Sequence, residues 1–120
     1  VLLAEDNVVN QKVAVRILKR LGIDAVVATN GLEALQAVRR GCYDIVFMDV
    51  QMPEMDGLEA TRCIRLDDGV THKPYIIAMT AAATQLDRDM CLEAGMDDFI
   101  AKPVRIEDIS QALERYHIAV

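Results

Sequence analysis

Five times along the chain a short apolar run gives way to a longer stretch whose apolar residues recur at helical spacing, and this alternation restricts the fold more than any other feature. The runs cover 1–4, 25–28, 43–48, 75–79 and 98–101, and they read as strands buried on both faces. The intervening stretches predict helices. Their inward residues are expected to be Val13, Ile17 and Leu21 in the first helix, Leu32, Leu35 and Val38 in the second, and Leu58, Thr61 and Ile64 in the third. Leu86, Met90 and Ala94 would serve the fourth, and Ile106, Ile109, Leu113 and Tyr116 the last. Asn30 with Glu33, Asp56 with Glu59, and Thr84 with Asp87 are helix-start signals, while Gly22, Gly41 and Gly95 are stop signals. A polar loop is expected over 67–74.

Strict β-α alternation implies parallel strands joined by right-handed crossovers, with helices on both faces. The fold class expected is α/β: a (βα)5 doubly wound five-stranded parallel sheet, flavodoxin-like, in the order 2-1-3-4-5. A chain of 120 residues is enough for one such domain, spanning 1–120. The chain opens on Val1 directly in a strand, which suggests a fragment of something longer.

A formal charge of −6 with scattered basic residues argues against nucleic-acid binding. No apolar run approaches the roughly 18 residues that cross a bilayer, so no membrane contact is expected of this segment. Cys42, Cys63 and Cys91 are odd in number and widely spaced, with only two histidines elsewhere, which reads as reduced thiols in the cytoplasm and not a zinc site. The six methionines are read as core filler, and neither His72 nor His117 is given a role.

The polar residues that interrupt the pattern all fall at strand ends. Glu5 and Asp6 follow the first strand, Asp49 the third, Thr80 the fourth and Lys102 the fifth, so one edge of the sheet would gather them. Three carboxylates that close together repel one another unless a cation lies among them, and an oxygen-only set suits a hard ion such as Mg²⁺. A lysine and a hydroxyl beside an acid and a metal are the parts of phosphoryl transfer. Asp49 stands alone at the end of the central strand, whereas Glu5 and Asp6 form a pair suited to metal, so Asp49 is assigned as the nucleophile. Asp56 is read as a helix cap only.

The pieces Ala4-Glu5-Asp6-Asn7, Met48-Asp49-Val50-Gln51-Met52-Pro53-Glu54-Met55-Asp56-Gly57, Ala78-Met79-Thr80-Ala81 and Ala101-Lys102-Pro103 together resemble the receiver domain of two-component response regulators (CheY-like), over essentially the whole chain. The resemblance implies transfer of a phosphoryl group from a phosphohistidine on a kinase or histidine phosphotransfer domain to Asp49. It implies Mg²⁺ held by Asp6, Asp49 and the main-chain carbonyl of Gln51, with Glu5 in the outer shell, and phosphate contacts from Thr80 and Lys102. A cis Lys102–Pro103 peptide is implied as well. Thr80 and Phe99 would be the switch residues, acting on the surface of the fourth helix, fifth strand and fifth helix, through which a dimer could also form. Phe99 has no hydroxyl, so only its burial or exposure can change. Ala82, two residues beyond Thr80, and Gln51 would flank the path of a hydrolytic water. The wording of residues 5–11 and of Gly95-Met96-Asp97-Asp98 resembles receivers of hybrid sensor histidine kinases, with a stand-alone regulator or transcription-factor receiver as the alternative.

Other functions fit less well. An Asp-nucleophile phosphatase or phosphotransferase would carry a second Asp two residues on, where Gln51 stands. A nucleotide or flavin binder needs a Gly- or hydroxyl-rich loop after the first strand, where Glu5-Asp6-Asn7 would repel phosphate. A degenerate receiver that only binds partners would have no need of every supporting group that is present here.

Overall fold

The computed structural model describes residues 1–81 and 84–119, so the expectation for Ala82 lies outside the described residues. The elements alternate strictly: β1 (Leu2–Ala4), α1 (Val8–Arg20), β2 (Val26–Ala28), α2 (Gly31–Arg40), β3 (Ile45–Asp49), α3 (Gly57–Leu66), β4 (Tyr75–Thr80), α4 (Gln85–Ala94), β5 (Asp98–Ala101) and α5 (Ile106–Ala119). The five strands are parallel and lie in the order β2-β1-β3-β4-β5, as the alternation predicts.

The sheet divides the core in two because successive side chains of a strand point to opposite faces. Leu2, Ala4, Val46, Met48, Ile76 and Ala78 face one side and pack with α2, α3 and α4 through Ala34, Leu35, Val38, Ala60, Ile64 and Cys91. Leu3, Ile45, Phe47, Ile77, Met79 and Ile100 face the other and pack with α1 and α5 through Ala14, Leu18, Ile109 and Ala112. Four helices have local N-terminal caps. Asn7, Asn30, Asp56 and Thr84 accept from the main-chain N–H groups of Asn10, Glu33, Glu59 and Asp87, each of which satisfies a helix-end donor and stabilises by about 1 kcal/mol. The Glu33 carboxylate returns to the N–H and hydroxyl of Thr29, one residue earlier than a capping box centred on Asn30 requires.

Several expected core positions are corrected. Val13, Leu32, Leu86 and Met90 are exposed, Leu86 to 70%. Leu35, Val38 and Ala94 are buried as expected, and beside them the same helices bury Ala14, Leu18, Ala34 and Cys91, of which the small ones let a helix lie close to the sheet. Among the described residues no helix is long and apolar enough to cross a membrane.

Candidate functional site

Strand register places the site. Ala4 pairs with Met48, Met48 with Ala78 and Ala78 with Phe99, so the residues just beyond that row emerge together at the carboxyl edge of the sheet. The main chain stays tied past the strands. The Glu5 N–H donates to the Ala28 carbonyl, Val50 N–H to Met79, and Lys102 N–H to Thr80. Glu5, Asp6, Asp49, Thr80 and Lys102 accordingly line one cleft of about 300 Å³, with Gln51, Asn10 and Asp87 also on its walls.

Asp49 is the last residue of β3 and only 3% exposed. Its Oδ2 lies 2.8 Å from Lys102 Nζ, and its Oδ1 accepts weakly from the Gln51 N–H at 3.3 Å. Glu5, 2% exposed, accepts from Lys102 Nζ at 3.0 Å and from the Asn7 N–H at 3.1 Å. The Gln11 side-chain amide holds the Glu5 carbonyl at 2.6 Å, which fixes the chain at the end of β1. Asp6 is exposed at the cleft mouth. Thr80 is buried at the end of β4. The Lys102–Pro103 peptide is cis.

The loop after Asp49 is shaped by close main-chain contact. Gly57 N–H donates to the Val50 carbonyl, and a Cβ at Gly57 would stand 2.1 Å from the Asp49 carbonyl oxygen, so only glycine lets the start of α3 approach β3 this closely. Gly31 meets the Met55 carbonyl in the same way, with a Cβ position at 2.2 Å.

Charge in the cleft is unevenly held. Burial pushes the Asp49 carboxyl up to about 6, against the pull of Lys102 and with the help of the Glu5 charge. Burial acts on Glu5 too, but the Lys102 ammonium and the Asn7 N–H outweigh it and keep Glu5 below the usual carboxylate range. Lys102 is desolvated, yet its bonds to Asp49 and Glu5 outweigh that and raise its pKa. The result is a proton-attracting acid at the end of β3 beside an acid that stays ionised.

Glu5, Asp6 and Asp49 each offer a carboxylate oxygen within 4.8 Å of the others. That donor set is all oxygen and opens to solvent at Asp6, which fits a hard divalent cation and excludes a thiolate- or imidazole-type site. An anionic oxygen, a cation-binding acid cluster, an ammonium and a hydroxyl in one cleft can accept and steady a phosphoryl group.

Phe99 is not in this cleft. It is half-buried on β5 and lines a separate groove on the α4–β5–α5 face, where the Arg88 guanidinium carbon sits 4.4 Å from its ring centroid. Sequence reasoning missed that cation–π pair and took Asp87 for a cap alone. The signal for Asp87 was its position in the first turn of the helix after the Thr80 strand end, where a side chain can face the cleft.

Comparison with known proteins agrees with the geometry. Residues 1–114 match the family described as the Response regulator receiver domain. Hybrid signal transduction histidine kinase K of Dictyostelium discoideum is 42% identical over 121 residues, which cover 95% of this chain and 10% of that protein. The receiver domain of the sensor histidine kinase PA1611 from Pseudomonas aeruginosa, solved with a magnesium ion coordinated in its active-site cleft, is 41% identical with a TM-score of 0.86 over 96% of this chain and 93% of that one. A chain of the Saccharomyces cerevisiae co-crystal of the histidine phosphotransfer protein Ypd1 with the receiver domain of Ssk1 is 31% identical with a TM-score of 0.89, over 96% of this chain and 86% of that one. The chain thus spans a tenth of the kinase it matches and nearly the whole of an excised receiver, and it belongs to the response regulator receiver domain family.

Proposed function

We propose that this domain accepts a phosphoryl group on Asp49 from a phosphohistidine in a two-component or phosphorelay system. The observation that carries the reading is the bridge of Lys102 between Asp49 and Glu5, with Asp6 within ligand distance of both acids. Asp6, Asp49 and the Gln51 main-chain carbonyl are the candidates to hold Mg²⁺, with Glu5 behind them, in line with the magnesium in the PA1611 receiver. When bound, Mg²⁺ supplies charge neutralisation between the acids and the phosphoryl oxygens.

The roles of the chain's own groups follow from charge. An Asp49 Oδ attacks phosphorus as the P–N bond to the donor imidazole breaks, and the imidazole leaves with its electron pair. Lys102 then faces a phosphoryl oxygen in place of a carboxylate oxygen, and the Thr80 hydroxyl offers a further donor. The switch is read as Thr80 with Phe99, acting on α4, β5 and α5, and that face is also the candidate for dimerisation.

The donor is a kinase or histidine phosphotransfer domain, as the Ypd1 co-crystal and the kinase relatives support. Val8, Val9 and Val13 of α1 are exposed, and Val13 lines a neighbouring pocket that shares Glu5, Asn10 and Lys102 with the cleft, so this end of α1 offers apolar surface on which a protein donor can rest. A place in a cytoplasmic part of a hybrid sensor kinase is favoured over a stand-alone regulator by the identity to hybrid kinases. The test is incubation with Mg²⁺ and phosphoramidate, followed by intact mass. One acid-stable, base-labile phosphoryl group is expected, absent in Asp49→Asn, and labelling that persists in that variant overturns the assignment.

A further inference from the structure

The cleft carries a fourth carboxylate that the phosphoryl-transfer reading leaves idle. Asp87 stands in the first turn of α4 and lines the cleft together with Asp49, Thr80 and Lys102. Thr84 fixes it twice, accepting from the Asp87 N–H at 3.2 Å and donating its hydroxyl to Oδ2. Among the described residues no Lys, Arg or His forms an ion pair with Asp87. Its neighbour Arg88 is turned to the Phe99 ring, and Lys102 is taken up by Asp49 and Glu5. Asp87 also stands outside the group of acids close enough to share a cation.

The ionisable walls of the cleft are therefore Glu5, Asp6, Asp49 and Asp87 against Lys102 alone, an excess of three negative charges that one divalent cation reduces and does not cancel. A phosphodonor entering such a mouth meets repulsion that grows with its own charge, and low-dielectric walls focus that field.

We infer that Asp87 is a specificity-determining residue of this site, whose carboxylate discriminates against dianionic acyl phosphates and in favour of the less charged phosphoramide donors. The inference rests on Asp49 being the acceptor. In both reactions the Asp49 Oδ–P bond forms. With phosphoramidate the P–N bond breaks and nitrogen, protonated, leaves as ammonia; with acetyl phosphate the P–O bond breaks and acetate leaves with the electron pair.

The experiment compares second-order rates of Asp49 phosphorylation by acetyl phosphate, a dianion at about pH 7, and by phosphoramidate, largely a monoanion there, at saturating Mg²⁺ and low ionic strength. Asp87→Asn keeps an oxygen that can accept from Thr84 and removes the charge. It is expected to raise the acetyl phosphate rate about threefold to tenfold and the phosphoramidate rate by less than about twofold. Asp87→Glu, which keeps the charge, is expected to preserve the parent's ratio. The gap between parent and Asp87→Asn is expected to close near 1 M salt, where the screening length is about 3 Å. A ratio unchanged in Asp87→Asn, an equal change with both donors, or a gap indifferent to salt overturns the inference while Asp49 is still labelled. Failure of both donors to label Asp49 in the parent overturns the reading of the site and the inference with it.

Discussion

The Lys102 ammonium lies 2.8 Å from Asp49 Oδ2, and the same nitrogen reaches Glu5 Oε2 at 3.0 Å, so one partly exposed cation holds two carboxylates that are almost wholly buried. Truncating it leaves two buried charges facing each other, a costlier change than losing a surface pair. Lys102→Met is expected to destabilise the metal-free domain by about 2–3 kcal/mol, below the full cost of breaking a buried pair because the ammonium keeps some contact with water. Mg²⁺ should recover much of that loss while phosphorylation stays strongly impaired. Urea unfolding with and without Mg²⁺ checks this, and a midpoint that Lys102→Met leaves unmoved contradicts it.

Asp49 works against stability when it is ionised. Burial raises its carboxyl to about 6 from an ordinary 3.8, so the folded state binds its proton more tightly than the unfolded chain does. For such a group the cost of folding is absent below about pH 4, builds as pH rises through the interval to about 6, and is complete above it. Asp49→Asn removes that cost. At about pH 8 without metal the variant is expected to be more stable than the parent by on the order of 1 kcal/mol, and the difference should vanish towards pH 4 and shrink when Mg²⁺ is added. Parallel denaturation curves at the two pH values decide it; a variant equally or less stable at pH 8 counts against the burial argument.

Much of this was legible in the sequence, and for one reason. Alternating β-α units fix which end of every strand a loop leaves from, so Glu5, Asp49, Thr80 and Lys102 could be placed on one edge before any distance was known. The buried faces of the helices were less legible. Val13, Leu32, Leu86 and Met90 fit a helical period, but so do Ala14, Ala34 and Cys91, and sheet packing buried this smaller set beside Leu35, Val38 and Ala94, which lie where they were expected. Periodicity ranks a side chain by hydropathy, whereas close packing ranks it by shape. The Arg88–Phe99 pair and the three-way grip of Arg65 escaped altogether, since each joins residues far apart in the chain through a side chain that composition reads as solvated surface.

Gly57 supports Asp49, the proposed acceptor, without taking part in chemistry. The clash that a Cβ would make at 2.1 Å is with the Asp49 carbonyl, which is main chain and cannot swing aside as a side chain could. Gly57→Ala is expected to push the start of α3 off β3, costing about 3 kcal/mol, and to lower the phosphorylation rate of the fraction that remains folded, since the contact it breaks is with the residue proposed as the nucleophile. Thermal unfolding and phosphoramidate labelling below the melting point report the two effects separately. A variant with parental stability would show that the loop can yield where these contacts say it cannot.

Arg65 offers the opposite case, a strong grip remote from the chemistry. From the last turn of α3 its Nε donates to the Gly95 carbonyl at 2.8 Å, Nη1 to the Pro74 carbonyl at 2.7 Å and Nη2 to Asp97 Oδ2 at 2.7 Å. Asp97 Oδ2 in turn accepts from the Ile76 N–H at 2.8 Å, so one guanidinium ties α3 to the entry of β4 and the turn between α4 and β5. Gly95 belongs to the same arrangement: its φ of +105° suits glycine, and a Cβ there would meet Arg65 Cγ at 2.7 Å. These contacts gather where β4 and β5 begin, at the end of the sheet away from Asp49 and Lys102. Three donors in a fixed planar fork cannot be reproduced by an ammonium, so Arg65→Lys should lose nearly as much stability as Arg65→Ala, about 2 kcal/mol in each. Asp97→Asn, which keeps an acceptor for Ile76, should lose less. All three variants, assayed where they are folded, should label on Asp49 at the parent's rate, because nothing in the grip reaches the cleft. A labelling rate that falls with Arg65→Lys at full foldedness would mean that the two ends of the sheet are coupled, and the separation of scaffold from chemistry argued from these distances would have to be abandoned.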